Sequence, residues 1–343
     1  MTKLQETYGV IGAGSFGTAV ANLLAENGRV LLYARSKKAI ENIKNNTHRN
    51  QDIHENIEVT NDIESFCKQC NLIFPVIPSD SFRYMLDDFK PYLKASHILI
   101  HATKGLHVEH NLGEDVVLKK ESVYTMSELI LKNTGVVRVG CMAGPNLASE
   151  LALKQPAATV IASQFNEVID EGQKALKSTR LRVYGSNELR GVELAGVLKN
   201  YVAISAGIIA GIGYGENSKA MLITRGMAES IYIAKALGYN EKAFLGIAGV
   251  GDLIATCNSP KSRNNTVGRY LAEGKTLAEI KENMSEVAEG VKTVQIIHSL
   301  KNYGFKSPIA DILYRIIFND LSVENALEFL MRFPTSEDAD YIS

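Results

Sequence analysis

The chain has 343 residues, of which 45% are hydrophobic and 22% are charged. A chain of this length and composition has enough apolar side chains for a large core and suggests two or three domains rather than one. With 37 basic and 38 acidic residues the formal net charge is −1, so no overall field attracts nucleic acid or an anionic membrane surface. We therefore expect no nucleic-acid partner and no membrane insertion.

The sequence favours a cytoplasmic location. It begins Met-Thr-Lys-Leu-Gln-Glu, without the apolar stretch of a signal peptide, and the uncharged apolar run from Tyr201 to Gly215 is short and glycine-rich for a membrane span. Four cysteines in a chain of this size do not form a disulfide scaffold, which agrees with a reducing compartment. They are Cys67, Cys70, Cys141 and Cys257.

Short apolar runs alternate with amphipathic stretches from Tyr8 onward, as is typical of strands separated by helices in a parallel sheet covered on both faces. After Asn187 this pattern ends, and helical patterns continue towards the C-terminus. The sequence thus predicts an α/β domain over residues 1–187 and an all-α domain over residues 188–343. The predicted strands are Tyr8–Ile11, Val30–Tyr33, Ile57–Thr60, Leu72–Val76, His97–Ala102, Val137–Cys141, Thr159–Ala162 and Leu181–Tyr184.

A glycine-rich segment follows the first predicted strand and begins an apolar helix. In this G-x-G-x-x-G pattern Gly12 permits a tight turn, Gly14 lets a pyrophosphate approach the backbone, and Gly17 allows close packing of helix on strand. The N–H groups of the helix N-terminus favour an anion. We predict a Rossmann-like dinucleotide-binding domain in which these glycines, Ser15 and Phe16 contact the cofactor. The alternative is a glycine-rich turn in a domain that binds no nucleotide.

The second predicted strand ends in Tyr33-Ala34-Arg35-Ser36-Lys37-Lys38. An NAD-selective site usually has Asp or Glu here, against the ribose 2′-hydroxyl. A guanidinium instead suits a 2′-phosphate, which it binds in a bidentate manner. We predict that Arg35 and Ser36 contact NADP(H), while use of NAD(H) stays open because these charges also fit a solvated helix start.

Lys199 lies on a predicted helix whose surrounding face is apolar or small. Burial disfavours the charged form of a lysine and lowers its pKa towards neutrality, which suits a general base for alcohol oxidation. The sequence therefore favours Lys199 as a catalytic residue. A lysine that extends to the surface, or one paired with Glu193 for structure, is the alternative.

Further motifs follow one another along the chain. They are Val10–Ala19, Val76–Ser79, Thr103–Leu106, Ala143–Glu150, Gly191–Asn200, Gly249–Cys257, Ser262–Asn264 and Ala288–Gly290. Together they resemble the bacterial type of NAD(P)-dependent glycerol-3-phosphate dehydrogenase over nearly the whole chain. The resemblance implies a helical C-terminal domain like that of 6-phosphogluconate dehydrogenase, a homodimer, and reversible reduction of dihydroxyacetone phosphate to sn-glycerol 3-phosphate for phospholipid synthesis.

The resemblance also implies roles for particular residues. Lys199, Asp252 and Lys104 are expected to be catalytic, with Lys199 and Asp252 paired. Ser262-Arg263-Asn264 offers a hydroxyl, a guanidinium and an amide to a substrate phosphate. The expected substrate-binding residues are Lys104, Gly144, Asn146, Lys199, Asn200, Asp252, Thr256, Ser262, Arg263 and Asn264. The further expected cofactor-binding residues are Lys104, Ala148, Arg263, Val287 and Glu289.

Two other functions fit part of the pattern: another β-hydroxyacid-type dehydrogenase, and a protein that senses NADP without turnover. The Cys67-Lys-Gln-Cys70 segment has a spacing found in metal sites, but no second cysteine pair accompanies it, so we interpret it as helix packing. His107 and His110 form no complete zinc signature. We expect no metal.

Overall fold

The computed structural model describes residues 6–45, 52–109, 112–113, 116–284, 288–300 and 305–332. The predicted site residue Val287, and His110, lie outside these ranges. The chain divides into two compact units. The first unit extends to residue 107 and resumes over 124–189, and the second comprises 108–123 and the residues from 190 onward. The assignment of residues 1–187 to the cofactor and 188–343 to the substrate stays a prediction.

The first unit contains an eight-stranded sheet with helices on both faces, as the alternating pattern predicted. Its strand order is β10-β9-β8-β5-β4-β1-β2-β3. A separate two-stranded sheet of β6 and β7 was not predicted. The strands are β1 (Thr7–Ile11), β2 (Arg29–Tyr33), β3 (Ile57–Thr60), β4 (Leu72–Pro75), β5 (Ile98–His101), β6 (His107–Val108), β7 (Val123–Tyr124), β8 (Arg138–Ala143), β9 (Ala157–Ser163) and β10 (Leu181–Ser186).

The expectation of a wholly parallel sheet is wrong at one edge. Strand β9 runs antiparallel to β8, and β10 is parallel to β9, so these two strands oppose the other six. The connection from β8 to β9 contains only a five-residue helix. Such a helix spans about 7 Å, whereas the seven-residue β9 spans about 23 Å, so the connection does not carry the chain back along the sheet. The chain therefore reverses at the same end of the sheet.

Both faces of the sheet are buried. Leu32 and its sheet neighbours pack into one apolar cluster, while the adjacent Leu31 packs into the other on the opposite face. Cys67 and Cys70 belong to the second cluster, where burial raises their pKa values to about 11 and about 12. Their interpretation as packing residues is confirmed, and all four cysteines are buried free thiols.

Helices account for most of the remaining described residues, and the predicted helical second half is confirmed. The α-helices are α1 (Ser15–Ala25), α2 (Lys37–Lys44), α3 (Ile63–Gln69), α4 (Ser79–Phe89), α5 (Met126–Asn133), α6 (Ala148–Ala152), α7 (Asn166–Ala175), α8 (Leu189–Gly211), α9 (Glu216–Ala236), α10 (Asp252–Asn258), α11 (Arg263–Ala272), α12 (Leu277–Asn283), α13 (Glu289–Ser299), α14 (Pro308–Phe318) and α15 (Val323–Arg332). Short 3-10 helices cover Lys120–Ser122 and Glu241–Leu245, and a π-helix covers Ile247–Gly251.

Helix α8 is the core helix of the second unit. It is long and apolar enough to cross a membrane by length and composition, but 89% of its most apolar window is buried inside the protein, as in the core helix of a globular domain. Helix α11 crosses it at very short range. A Cβ atom on Gly268 would lie 1.9 Å from the carbonyl oxygen of Ile204, and one on Gly207 would lie 2.1 Å from that of Asn265. Glycine is therefore required where the two backbones meet.

A buried carboxylate joins α9 to the start of α14. Glu229 is 4% exposed, and its carboxylate oxygens accept hydrogen bonds from the backbone N–H groups of Ile309, at 2.8 Å, and Ala310, at 3.0 Å. Burial raises the pKa of Glu229 to about 8, although these two N–H groups oppose the rise. The folded protein therefore holds a proton on this carboxyl more tightly than the unfolded chain does.

We predict that this carboxyl makes stability depend on pH. Its contribution is complete below the unfolded pKa, near 4.5, and is lost as the pH rises through about 8. The free energy of unfolding, measured by urea denaturation, should fall by about 3 kcal/mol between pH 5 and pH 8 on account of this group. Glu229→Gln should remove that slope.

Glu279 provides a matched control. It also caps a helix in the second unit, but it is exposed and its pKa is lowered by bonds to Thr276. Glu279→Gln should keep the wild-type slope between pH 5 and pH 8. A Glu229→Gln protein with the same slope as the wild type would contradict the prediction.

Candidate functional site

The glycine-rich turn has the geometry that the sequence predicted. Gly12 has a φ of +113°, and a Cβ atom there would lie 2.4 Å from the carbonyl oxygen of Val76. A Cβ atom on Gly17 would lie 1.9 Å from the carbonyl oxygen of Gly12, so α1 packs directly on the turn. Gly14 differs, because nothing lies within 4 Å of the Cβ position there. Open space therefore adjoins Gly14 at the start of α1, where Ser15 and Phe16 are half-buried, and this arrangement fits a pyrophosphate.

The end of β2 carries positive charge. Arg35 is exposed and has no ion-pair partner among the described residues. Ser36 is the N-cap of α2, and its hydroxyl accepts a hydrogen bond from the N–H of Ala39 at 3.4 Å. The Ser36 hydroxyl proton and the Arg35 guanidinium are both donors, which suits an anionic group more than a ribose hydroxyl alone.

The loops after β5 and β8 bring three predicted residues together. Since β5 and β8 are parallel neighbours, both loops leave the same edge of the sheet. The Lys104 amine donates a hydrogen bond to the carbonyl oxygen of Gly144 at 2.9 Å. Asn146 is 9% exposed and donates to the hydroxyl of Thr159 at 2.8 Å, while its Oδ1 has no hydrogen-bond partner among the described residues. A buried acceptor of this kind suits a ligand hydroxyl or amide.

Ala148, a predicted cofactor contact, is the first residue of α6 and follows Asn146 by two positions in the sequence. It is half-buried and offers no polar side chain. Thr159, which was not among the predicted site residues, orients Asn146: its hydroxyl accepts from Asn146 and donates to the carbonyl oxygen of Ala143 at 3.1 Å. A lone threonine in a predicted strand carries no signal of such a role.

Lys199 is buried in the second unit, as its apolar surroundings predicted, and its expected pairing with Asp252 is confirmed. The side chain of Lys199 is 7% exposed, and that of Asp252 is 4% exposed. The Lys199 amine lies 3.1 Å from Asp252 Oδ1 and donates a hydrogen bond to Thr256 Oγ1 at 2.6 Å. Thr256 in turn donates to the carbonyl oxygen of Asp252 at 2.6 Å. An ammonium is thus held out of water between a carboxylate and a hydroxyl.

The π-helix leads directly into this cluster. Asp252 is the first residue of α10, and Gly251 occupies the N-cap position. Gly249 in the π-helix packs against the backbone of Phe244, where a Cβ atom would lie 2.2 Å from its carbonyl oxygen. This close packing sets where α10 begins, and therefore where the carboxylate of Asp252 lies.

Asn200 and Asn264 are joined to each other. Asn264 donates to Asn200 Oδ1 at 3.0 Å, and its own Oδ1 accepts from the N–H of Gly290 at 3.0 Å. Both residues are buried. The side chain of Asn264 therefore links α8, α11 and the first turn of α13, which begins with the half-buried Glu289. The second amide proton of Asn264 has no acceptor among the described residues.

The other predicted phosphate residues begin α11. Ser262 is the N-cap, and its hydroxyl accepts from the N–H of Asn265 at 3.3 Å, whereas Arg263 is exposed. Asn265, which was not among the predicted site residues, is 1% exposed and donates to the carbonyl oxygen of Cys257 at 2.8 Å. Asn265 fixes the loop between α10 and α11. Its position directly after the predicted triplet was the only available signal.

The predicted residues fall into two groups, one in each unit. In the first unit are Gly12, Gly14, Ser15, Phe16, Gly17, Arg35, Ser36, Lys104, Gly144, Asn146 and Ala148. In the second unit are Lys199, Asn200, Asp252, Thr256, Ser262, Arg263, Asn264 and Glu289. Within the described residues no cluster of His, Cys, Asp and Glu side chains has the arrangement of a metal site.

Comparison with known proteins gives a consistent result over both units. Residues 7–169 match the family profile of the NAD-dependent glycerol-3-phosphate dehydrogenase N-terminus, and residues 188–328 match that of the C-terminus. The chain is 39% identical over 349 residues to a glycerol-3-phosphate dehydrogenase [NAD(P)+] of Ectopseudomonas mendocina, covering 100% of this chain and 98% of the relative.

Solved structures are also similar. A glycerol-3-phosphate dehydrogenase from Coxiella burnetii aligns with a TM-score of 0.87 at 28% identity, covering 96% of this chain and 100% of that one. A glycerol-3-phosphate dehydrogenase from Saccharomyces cerevisiae aligns with a TM-score of 0.80 at 22% identity, covering 95% and 99% of the two chains, and this likeness concerns the fold alone. The predicted fold class, a Rossmann-like domain followed by a helical domain, is confirmed.

Gly14 and Gly17 of the turn should respond differently to the same substitution. Gly17→Ala should lower the free energy of unfolding by about 3 kcal/mol, because its Cβ atom would overlap the Gly12 carbonyl. Gly14→Ala should change stability by less than about 1 kcal/mol and yet weaken dinucleotide binding at least tenfold, since its Cβ atom would fill the space that a pyrophosphate needs. Urea denaturation and NADPH fluorescence titration measure the two effects.

Gly135→Ala, which is also in the first unit, is the control, because nothing lies within 4 Å of the Cβ position there. It should change neither stability nor dinucleotide affinity. If Gly14→Ala bound NADPH as tightly as the wild type, the turn would not be the pyrophosphate site.

Proposed function

Since the chain belongs to the NAD-dependent glycerol-3-phosphate dehydrogenase family, we propose that it catalyses the reversible, NAD(P)H-dependent reduction of dihydroxyacetone phosphate to sn-glycerol 3-phosphate. The predictions of an oxidoreductase and of an NAD(P) cofactor are confirmed by this membership. The observation that carries the proposed chemistry is the buried Lys199 amine, held between Asp252 and Thr256.

Reduction of a ketone requires a hydride at carbon and a proton at oxygen. The nicotinamide cofactor supplies the hydride when it is bound. In our proposal the Lys199 ammonium donates the proton to the carbonyl oxygen and stabilises the negative charge that develops there. In the reverse direction the Lys199 amine accepts the proton of the substrate hydroxyl.

Asp252 and Thr256 support this role by holding the lysine. An unpaired ammonium out of water would be strongly disfavoured, and the carboxylate of Asp252 balances its charge at 3.1 Å. The Thr256 hydroxyl accepts from Lys199 while its own proton is engaged by Asp252, so it fixes the direction of the amine. A lysine positioned by two partners loses little further freedom when substrate binds.

We propose that the substrate phosphate is bound by Arg263 and Ser262, with one amide proton from Asn264. Arg263 is an exposed guanidinium at the N-terminus of α11, where backbone N–H groups also favour an anion. In the first unit, Lys104 and the unsatisfied acceptor of Asn146 provide a cation and an acceptor for a phosphorylated hydroxy ketone. We also propose Gly144 in the first unit and Asn200 in the second as substrate-binding residues.

For the cofactor we propose contacts from the turn residues Gly12, Gly14, Ser15, Phe16 and Gly17, and from Arg35 and Ser36 at the end of β2, with NADP(H) preferred over NAD(H). Ala148, Arg263, Val287 and Glu289 remain proposed contacts by family resemblance. We further propose a homodimer in the cytoplasm whose product feeds phospholipid synthesis. The four free thiols agree with a reducing compartment.

The role of Lys199 is tested by substitution. Lys199→Ala should lower kcat/KM for dihydroxyacetone phosphate, followed by NADPH absorbance, by about 10³-fold or more, because the proton donor and the charge that stabilises the alkoxide are both lost. Lys281→Ala, which removes an exposed lysine from α12, should retain wild-type activity.

A Lys199→Ala enzyme that turned over at the wild-type rate would contradict this mechanism. A wild-type protein that bound NADPH but reduced no ketone would instead indicate the sensing function. Reduction of β-keto acids in preference to dihydroxyacetone phosphate would indicate the other dehydrogenase class.

The cofactor preference depends on Arg35. Arg35→Ala should raise KM for NADPH about tenfold or more and leave KM for NADH within a factor of two, because only NADPH carries the 2′-phosphate. Lys38→Ala, an exposed lysine of the neighbouring helix, should have a smaller effect. An equal change of KM for both cofactors would show that Arg35 does not recognise the 2′-phosphate.

A further inference from the structure

Three consecutive polar side chains in α8 each contact a different helix. Lys199 bonds to Thr256 in α10, and Asn200 bonds to Asn264 in α11. Tyr201, the third, directs its hydroxyl to α9. Neighbouring residues of an α-helix point about 100° apart, so these three contacts surround the helix axis. Together they restrain the rotation of α8 about its own axis.

The Tyr201 contact is entirely buried. Its side chain is 0% exposed, and its hydroxyl lies 3.2 Å from the carbonyl oxygen of Gly226, to which it donates, and 3.1 Å from the hydroxyl of Ser230. The helices are close here, since a Cβ atom on Gly226 would lie 2.6 Å from a methyl group of Val202. The ring therefore has little room in which to move.

Glu229 connects this contact to a third helix. It is the neighbour of Ser230 in α9, and its carboxyl oxygens accept hydrogen bonds from the backbone N–H groups of Ile309 and Ala310 at the start of α14. Two titratable groups affect the pKa of Glu229: the Tyr201 hydroxyl lowers it, and Asp311 of α14 raises it. Glu229 thus fixes α9, and with it the acceptors of Tyr201, against α14.

We propose that Tyr201 and Glu229 are positioning residues for the reaction: they hold α8 in the rotation that places the Lys199 amine between Asp252 and Thr256. This inference rests on the proposed function of Lys199. At about 6 Å from the helix axis, a rotation of roughly 10° moves a side-chain atom by about 1 Å. Such a shift is enough to break the 2.6 Å bond from Lys199 to Thr256.

The Tyr201 contact restrains a face of α8 that the bonds of Lys199 do not reach. Lys199 and Tyr201 lie on nearly opposite faces of α8, so a loss at the Tyr201 contact is not compensated by the bonds of Lys199 itself. Without the Tyr201 contact, the bond from Asn200 to Asn264 restrains the rotation of α8 from one face only. The hydroxyl of Tyr201 is therefore expected to affect proton transfer without touching the substrate.

Tyr201→Phe and Glu229→Ala test the inference, with kcat and KM measured for dihydroxyacetone phosphate and NADPH; the alanine removes both acceptors for the N–H groups of Ile309 and Ala310. Each variant should lower kcat by about 10- to 100-fold and leave KM within about threefold, as expected for a misplacement of about 1 Å. In a Lys199→Ala background, Tyr201→Phe should change the residual kcat less than twofold, because its effect passes through the lysine. Tyr314→Phe removes a tyrosine hydroxyl from α14 and should keep the wild-type kcat.

Several results would overturn the inference. One is a Tyr201→Phe enzyme with a lower Tm but an unchanged kcat, which would mean a structural role only. Another is an equal loss of kcat in the presence and absence of Lys199. If the wild type itself showed no turnover, the proposed function would fail, and a crystal structure of Tyr201→Phe would still decide the positioning role. An unchanged distance from Lys199 Nζ to Thr256 Oγ1 in that crystal structure would reject it.

Discussion

A buried ion pair between Lys199 and Asp252 is the constraint on which the second unit depends. An ammonium with 7% exposure is tolerated only if an opposite charge and a hydrogen-bond acceptor meet it at short range. The lysine comes from the middle of an apolar helix, and its partner comes from the first turn of another, more than fifty residues later. The two helices must therefore pack in a single register, and a small slip would leave both charges unpaired.

The surrounding elements explain how that register is kept. The π-helix Ile247–Gly251 places Asp252 at the start of α10, and the glycine contact between α8 and α11 brings the backbone of α11 against the core helix. Asn264 and Asn265 fill the space around this crossing with hydrogen bonds inside the protein. These polar residues near Lys199 therefore hold the helices around the lysine in place.

The first unit is subject to a different constraint. Its glycine-rich turn must bring the backbone close to an anion without filling the space that the anion needs. Gly12 and Gly17 are required by contact, since β1, the turn and α1 leave no room for a methyl group. At Gly14, in contrast, no described atom of the protein lies close enough to exclude a methyl group. Because Gly14 lies in a turn between the first strand and the first helix, the open space at its Cβ position is where a pyrophosphate would approach the backbone.

The sequence by itself determined the features that depend on local pattern. Alternation and periodicity predicted the strands of the large sheet and the helical second half, the glycine spacing predicted the turn at Gly12–Gly17, and the apolar face around Lys199 predicted its burial. Each of these follows from residues within one or two turns of each other. The direct pairing of Lys199 with Asp252 was expected from family resemblance and not from pattern.

Tertiary structure alone decided which distant groups meet. In the structure β9 and β10 run opposite to the other six strands, because the short α6 cannot return the chain along the sheet. Residues 108–123 belong to the second unit although they precede residue 188. It also joined Tyr201 to α9 and Glu229 to α14. Periodicity reports how deeply a side chain is buried, but the partner of a buried polar group depends on contacts between segments far apart in the chain. That choice of partner is what only the folded structure decides.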